Sequence, residues 1–97
     1  MSYWHNKVCA IPGGSAGLGR ALGRALANRG AKVVLVARRK EPLEAAAEEL
    51  RCAGGEATAV VADVAWQDDV DRLAATIGGQ FGRLDMLCNC AGRSTRR

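Results

Sequence analysis

The segment Gly13-Gly14-Ser15-Ala16-Gly17-Leu18-Gly19 constrains this chain more than any other. It comes after a short apolar run, Val8 to Ile11, closed by Pro12, and it precedes Leu18, Leu22, Ala25 and Leu26 at helical spacing. That order reads as strand, turn and helix. A turn stripped of side chains can bend tightly and bring its N–H groups against an anion, and a helix starting near Gly17 adds the partial positive charge of its N-terminus. Glycines alone would suit any tight turn, so their meaning rests on the rest of the chain.

The same alternation then repeats. Gly30 is placed to cap the first helix, and Lys32-Val33-Val34-Leu35-Val36-Ala37 is a β-branched run without polar alternation, as expected of a parallel strand buried on both faces. The next helix has Pro42 in its first turn, Glu41 and Glu44 near its positive end, and Leu43, Ala46, Ala47 and Leu50 on one face, with Gly54-Gly55 as its stop. A third strand is expected over Ala57–Ala62. A third helix then starts near Asp68 and Asp69, with Val70, Leu73, Ala74 and Ile77 as its apolar side and Gly78-Gly79 as its end, and Leu84–Cys88 makes a fourth strand. The fold class is α/β: a βαβαβαβ chain with right-handed crossovers gives a Rossmann-type three-layer parallel sheet in the order 3-2-1-4. The sequence predicts a cofactor-binding half-domain over 1–92, truncated after strand four, and a disordered basic tail over 93–97. The unpaired edge of strand four is expected to favour self-association.

Composition bounds the partners. The 97 residues suffice for one domain or part of one, and the balance of 48% hydrophobic to 25% charged residues is that of a folded, water-exposed protein. Of the formal charge of +4, three units come from Arg93, Arg96 and Arg97. Without them acids and bases alternate along the helices, which leaves no basic face for nucleic acid. No apolar run reaches the roughly 18 residues of a membrane span, and the polar start Met1–Lys7 leads into no signal-peptide core. A cytoplasmic location is the expectation. Cys9, Cys88 and Cys90 fall in apolar strand-like segments, where a reduced thiol serves as a small hydrophobe, and Cys52 stands apart.

The end of the second strand carries the next chemical signal. An NAD-binding fold usually places an acid there, on the adenine-ribose 2′-hydroxyl. Here Ala37 is followed by Arg38 and Arg39, which suit a 2′-phosphate because a guanidinium can pair with it bidentately. The expected cofactor is therefore NADP(H) in preference to NAD(H).

With these residues in order, the sequence resembles the classical short-chain dehydrogenases/reductases over nearly its whole length. Their Thr-Gly-x-x-x-Gly-x-Gly loop looks like Pro12 to Gly19, their Asp-Val after strand three like Asp63-Val64, and their Asn-Asn-Ala-Gly after strand four like Asn89-Cys90-Ala91-Gly92. The resemblance implies that Gly13, Gly14, Ser15, Gly17, Leu18 and Gly19 wrap the pyrophosphate. It implies that Asp63 and Val64 lie by the adenine and that Asn89, Ala91 and Gly92 complete the cofactor site. Pro12 departs from the family's threonine and removes a backbone donor, while Cys90 replaces an asparagine that helps to hold neighbouring strands together.

The family's catalytic serine and its Tyr-x-x-x-Lys pair have no match in the 97 residues. Tyr3-Trp4-His5-Asn6-Lys7 fits the letters but precedes strand one, about 15–20 Å from the glycine turn. It is expected to be an exposed N-terminal arm. A zinc site at Cys88 and Cys90 lacks the ligands for a tetrahedron, and Trp66 and Phe81 are expected to pack beside the third helix. The reading that accounts for every motif is an NADP(H)-dependent short-chain oxidoreductase, which moves hydride between nicotinamide and a carbonyl or alcohol, present as a chain lacking its catalytic half. The alternative is a non-catalytic half-domain that binds nucleotide or another protein. A methyltransferase-like domain is disfavoured, because an acid would be expected where Arg38 stands.

Overall fold

The computed structural model of the chain describes residues 3–14 and 17–88. Ser15, Asn89, Cys90, Ala91, Gly92 and the basic tail lie outside the described residues. The elements run β1 (Val8–Pro12), α1 (Gly17–Asn28), β2 (Lys32–Ala37), α2 (Lys40–Cys52), β3 (Glu56–Val61), α3 (Gln67–Phe81) and β4 (Met86–Leu87). They form one parallel sheet in the order β3-β2-β1-β4.

The β-branched runs lack polar alternation because both faces of the sheet are covered. Cys9, Ile11, Val33 and Leu35 point to one side and pack with Leu26 and Ala27 of α1 and with Leu43, Ala46, Ala47 and Leu50 of α2. Val8, Ala10, Val34, Val36 and Val60 point to the other side, against Leu73 and Ile77 of α3. A one-residue alternation along each strand thus divides the core into two layers. Burial also pushes the Cys9 thiol up, with the Asp85 carboxylate adding to it, so it stays protonated as a core residue.

The expected helices form, but two of their faces differ from the apolar pattern. α1 buries Gly19, Gly23, Leu26 and Ala27, whereas Leu18 is 76% exposed and Ala25 is also exposed. Hydrophobic spacing counts side chains, and here two positions against the sheet have none. A Cβ on Gly23 would stand 3.1 Å from Leu35 Cδ2, so glycine sets how closely the helix lies on β2. In α3 the helix passes through Gly78-Gly79 and ends at Gly82, whose φ of 74° is left-handed and whose N–H donates to the Gly78 carbonyl at 3.0 Å. A glycine inside a helix costs only about 1 kcal/mol, and packing of Ile77 and Phe81 on the second core layer outweighs it. Ala74 is exposed, so Leu73 and Ile77 carry that contact.

β4 is shorter than the apolar run Leu84–Cys88. The Asp85 N–H donates to Val8 O at 2.9 Å and the Cys88 N–H to Ala10 O at 3.0 Å, so three residues of one strand advance against two of the other, an offset like that of a bulge. The Asp85 side chain braces this junction: Oδ2 accepts the Val8 N–H at 2.8 Å and Oδ1 meets Arg83 Nη2 at 2.6 Å. The Arg83 guanidinium, then the Val8 N–H, hold its carboxyl below the usual range. Nothing in the letter pattern marks this residue.

The aromatic expectations divide. Phe81 packs on the core, but Trp66 is 66% exposed, because it is the residue preceding α3 and its side chain lies outside both core layers. Trp4 is half-buried against the first core layer rather than exposed, while Tyr3 stays in solvent.

Two glycines give opposite tests. Gly23→Leu is expected to lower stability by about 1–3 kcal/mol, through overpacking against Leu35. Gly78→Ala is expected to raise it by about 0.5–1 kcal/mol, since a Cβ there meets nothing within 4 Å. Urea unfolding of the two variants beside the parent measures both.

Candidate functional site

The turn after β1, the residues after β2 and the loop after β3 all lie at the carboxyl end of the parallel sheet, where α/β folds bind their ligands. The glycine turn leaves β1 at Pro12. Even-numbered residues of β1 face β4: the Val8 N–H goes to Asp85, and Val8 O and Ala10 O accept from Asp85 and Cys88. The donor that Pro12 lacks would therefore have pointed away from β2, and the β1–β2 ladder loses no bond.

Gly13 and Gly14 both donate to Val36 O, at 2.7 and 3.3 Å, with Gly13 at a φ of 82°. Their N–H groups tie the turn to β2. The N–H groups of Gly17, Leu18 and Gly19 have no acceptor within the helix because they open it. Gly19 has a separate duty: a Cβ there would collide with the Gly13 carbonyl, so only glycine lets the first turn of α1 lie under the loop. Leu18 stands exposed beside these donors.

Arg38 and Arg39 come directly after β2, both exposed, and Arg39 is the extended residue (φ −107°, ψ 124°) that precedes α2. With Lys40 they place three cations in a row at the positive end of a helix dipole, against one first-turn acid, Glu41. Among the described residues, no ion pair holds Arg38, Arg39 or Lys40.

The third part of the site is a braced loop. The Ala62 N–H donates to Ala37 O at 2.9 Å and carries the sheet one residue beyond β3. Asp63 then folds the chain back: its Oδ1 accepts the Ala65 N–H at 2.9 Å and its carbonyl accepts the Trp66 N–H at 3.0 Å. Val64 packs partly buried on the second core layer. The Asp63 N–H is taken by Asp69 Oδ2 at 2.7 Å, and Asp69 also meets Arg72 at 3.4 Å. Asp69 is a loop-positioning residue that the sequence marks only as a first-turn acid. Its signal is present, an acid six residues after Asp63 at the start of a helix, but that spacing also suits a helix dipole.

The Tyr3 to Lys7 pair sits at the other end of β1. Lys7 Nζ lies 4.9 Å from the Tyr3 ring centroid, a cation–π contact, and Tyr3 meets Trp4 edge to face at 5.0 Å. The pair is a surface clasp remote from the glycine turn. A cavity of about 290 Å³ lined by Lys32, Arg51, Glu56, Thr58, Gln80 and Phe81 is likewise at the amino end of β2 and β3. No helix among the described residues is long and apolar enough to cross a membrane.

The Asp69 carboxyl titrates below its ordinary value, first because the Asp63 N–H bonds to the charged form and then through Arg72. A depressed folded pKa adds stability that is present above the ordinary carboxylate value, about 3.9, and is lost as pH falls through the folded pKa. Asp69→Ala is therefore expected to be less stable than the parent at neutral pH, with the gap closing on acidification. Urea midpoints across an acid pH series check this.

The family model for short chain dehydrogenases matches residues 7–97. A 3-oxoacyl-[acyl-carrier-protein] reductase of Bos taurus is 44% identical over 87 residues, covering 90% of this chain and 35% of that protein. Among solved structures, a metagenomic short-chain oxidoreductase in complex with NADP is 37% identical with a TM-score of 0.84, covering 89% of this chain and 39% of that one. An NAD+-bound xylitol dehydrogenase is 30% identical, also with a TM-score of 0.84, covering 89% and 33%. The chain thus spans about a third of the length of the curated relatives it matches. On the match of fold, glycine turn and family model together, the chain belongs to the short-chain dehydrogenase/reductase family, whose members bind a nicotinamide cofactor.

Proposed function

We propose that these residues form the dinucleotide-binding part of an NADP(H)-dependent oxidoreductase. When bound, the cofactor supplies hydride for exchange with a carbonyl or alcohol carbon. The chain's own residues bind and orient it. The amides of Gly17, Leu18 and Gly19 receive the pyrophosphate, together with Ser15 in the same turn, and Gly13 and Gly14 hold that turn against β2. Arg38 and Arg39 receive the 2′-phosphate. Asp63 and Val64 border the adenine; Asp63 Oδ1 is engaged by Ala65, and Oδ2 has no hydrogen bond among the described residues. Asn89, Ala91 and Gly92, which follow β4 in the sequence, are the further residues that the family resemblance assigns to the cofactor.

The observation that carries the choice of NADP(H) is the run Arg38-Arg39-Lys40. Three cations beside the positive end of α2 oppose the helix dipole, and a dianionic phosphate there would relieve the conflict. Local rules of this kind are broken at functional sites. The relatives include both an NADP complex and an NAD+ complex, so the preference rests on these side chains.

Calorimetric titration of the chain is expected to show NADPH binding at least about tenfold more tightly than NADH. Arg38→Ala should cost NADPH about 1.5–3 kcal/mol, the worth of a hydrogen bond to a charged group, while leaving NADH nearly unchanged. Equal affinity for the two cofactors would overturn the assignment. The side of β4 that pairs with no strand among the described residues, with Leu84 and Leu87 at 47% and 59% exposure, is proposed as the surface through which the chain self-associates. Sedimentation should then give a mass that rises with protein concentration, and a monomer at all concentrations would count against it.

A further inference from the structure

β3 lies at one side of the sheet and pairs only with β2 among the described residues. In a parallel ladder alternate residues turn their N–H and C=O groups to the same neighbour. Because the Ala62 N–H donates to Ala37 O, even-numbered residues of this strand face β2, and Ala57, Ala59 and Val61 face outward. The segment Glu56-Ala57-Thr58-Ala59-Val60-Val61 carries one charge and three β-branched residues, a composition that pairs readily with another strand.

Two of the three outward carbonyls are already occupied. Arg51 Nε donates to Ala57 O at 2.9 Å and Arg72 Nη2 donates to Val61 O at 2.9 Å. Arg51 comes from α2 on one face of the sheet, and Arg72 comes from α3 on the other. Each is steadied by a carboxylate three residues earlier on its own helix: Glu48 stands 3.4 Å from Arg51, and Asp69 stands 3.4 Å from Arg72. The same construction, built twice from opposite layers, closes both ends of one strand edge with a charge and a hydrogen bond.

We propose that Arg51 and Arg72 are a pair of edge guards that keep β3 from pairing with the β3 of a second copy of this chain. An incoming strand would have to displace both guanidiniums and seat its own backbone beside two positive charges. The surface blocked is distinct from the open side of β4, on the far side of the sheet.

Residue-resolved amide exchange on the 97-residue chain, with sedimentation alongside, tests this. In the parent the N–H groups of Ala57, Ala59 and Val61 are expected to exchange quickly at every protein concentration. In R51A/R72A their protection should rise by at least about tenfold with increasing concentration, together with a gain in sedimenting mass. A folded double variant with those three amides still unprotected would overturn the proposal, as would association that protects Met86 and Leu87 alone. Should the double variant fail to fold, R51A and R72A singly carry the same test, each expected to show part of the protection; its absence from both would be equally decisive.

Discussion

The close seat of α1 on the first two strands governs most of this structure. Gly23 lets the helix lie within contact distance of Leu35, and Gly19 lets its first turn tuck beneath the Gly13 carbonyl. Together they bring the start of the helix, with its opening amides that have no acceptor within the helix, to the end of β1. The bonds from Gly13 and Gly14 to Val36 O then fix the turn to β2. A side chain at either helical glycine would lift α1 away, and the packing of the first core layer would suffer. The cofactor site we propose depends on the same close seat.

The two ends of the sheet are built for different work. At the amino end the groups satisfy one another: Asp85 joins β4 to Val8 and Arg83, Lys7 rests on Tyr3, and Trp4 shields part of the core. At the carboxyl end the cations after β2 meet no carboxylate among the described residues and oppose a helix dipole. The glycine turn is tied to β2 there, and the loop after β3 is braced through Asp69, which takes the Asp63 N–H and leaves the Asp63 carboxylate to its own contacts. The proposed 2′-phosphate site needs donors left over, and Arg38 and Arg39 have no ion pair among the described residues.

Much of the fold is legible in the letters. The runs from Val8 and Lys32 announce buried parallel strands because apolar residues with no alternation suit a sheet covered on both faces, the run from Ala57 gives the third strand, at the edge of the sheet, and α2 buries the four residues its spacing names. The misplacements have physical causes. The leucines of α1 suggest one orientation for the helix, although glycines face the sheet. Gly78-Gly79 suggests a stop in α3, although packing carries it to Phe81, with Gly82 as its cap. The apolar run of β4 suggests five residues, although its offset against β1 leaves a two-residue ladder. Gly13, Gly14, Arg38, Arg39, Asp63 and Val64 come after the ends of adjacent strands. The use of the Gly13 and Gly14 amides on Val36 cannot be read from spacing, because it depends on where a neighbouring strand's carbonyl arrives.

The sequence by itself determined the order of elements, the parallel sheet and the chemical kind of the site, since these derive from local periodicity, glycine at the turn and charge at the strand ends. The tertiary structure decided which groups are already spent. Gly13, Gly14, Asp69, Asp85, Arg51 and Arg72 each have a partner from six to seventy-seven residues away, and such pairings exist only once the sheet has assembled. The glycine turn reads as a cradle in the sequence, and its described residues stand at the carboxyl end of β1. The donors we propose for it are those of the helix it opens into, because the first two glycines are bound to the strand beside them.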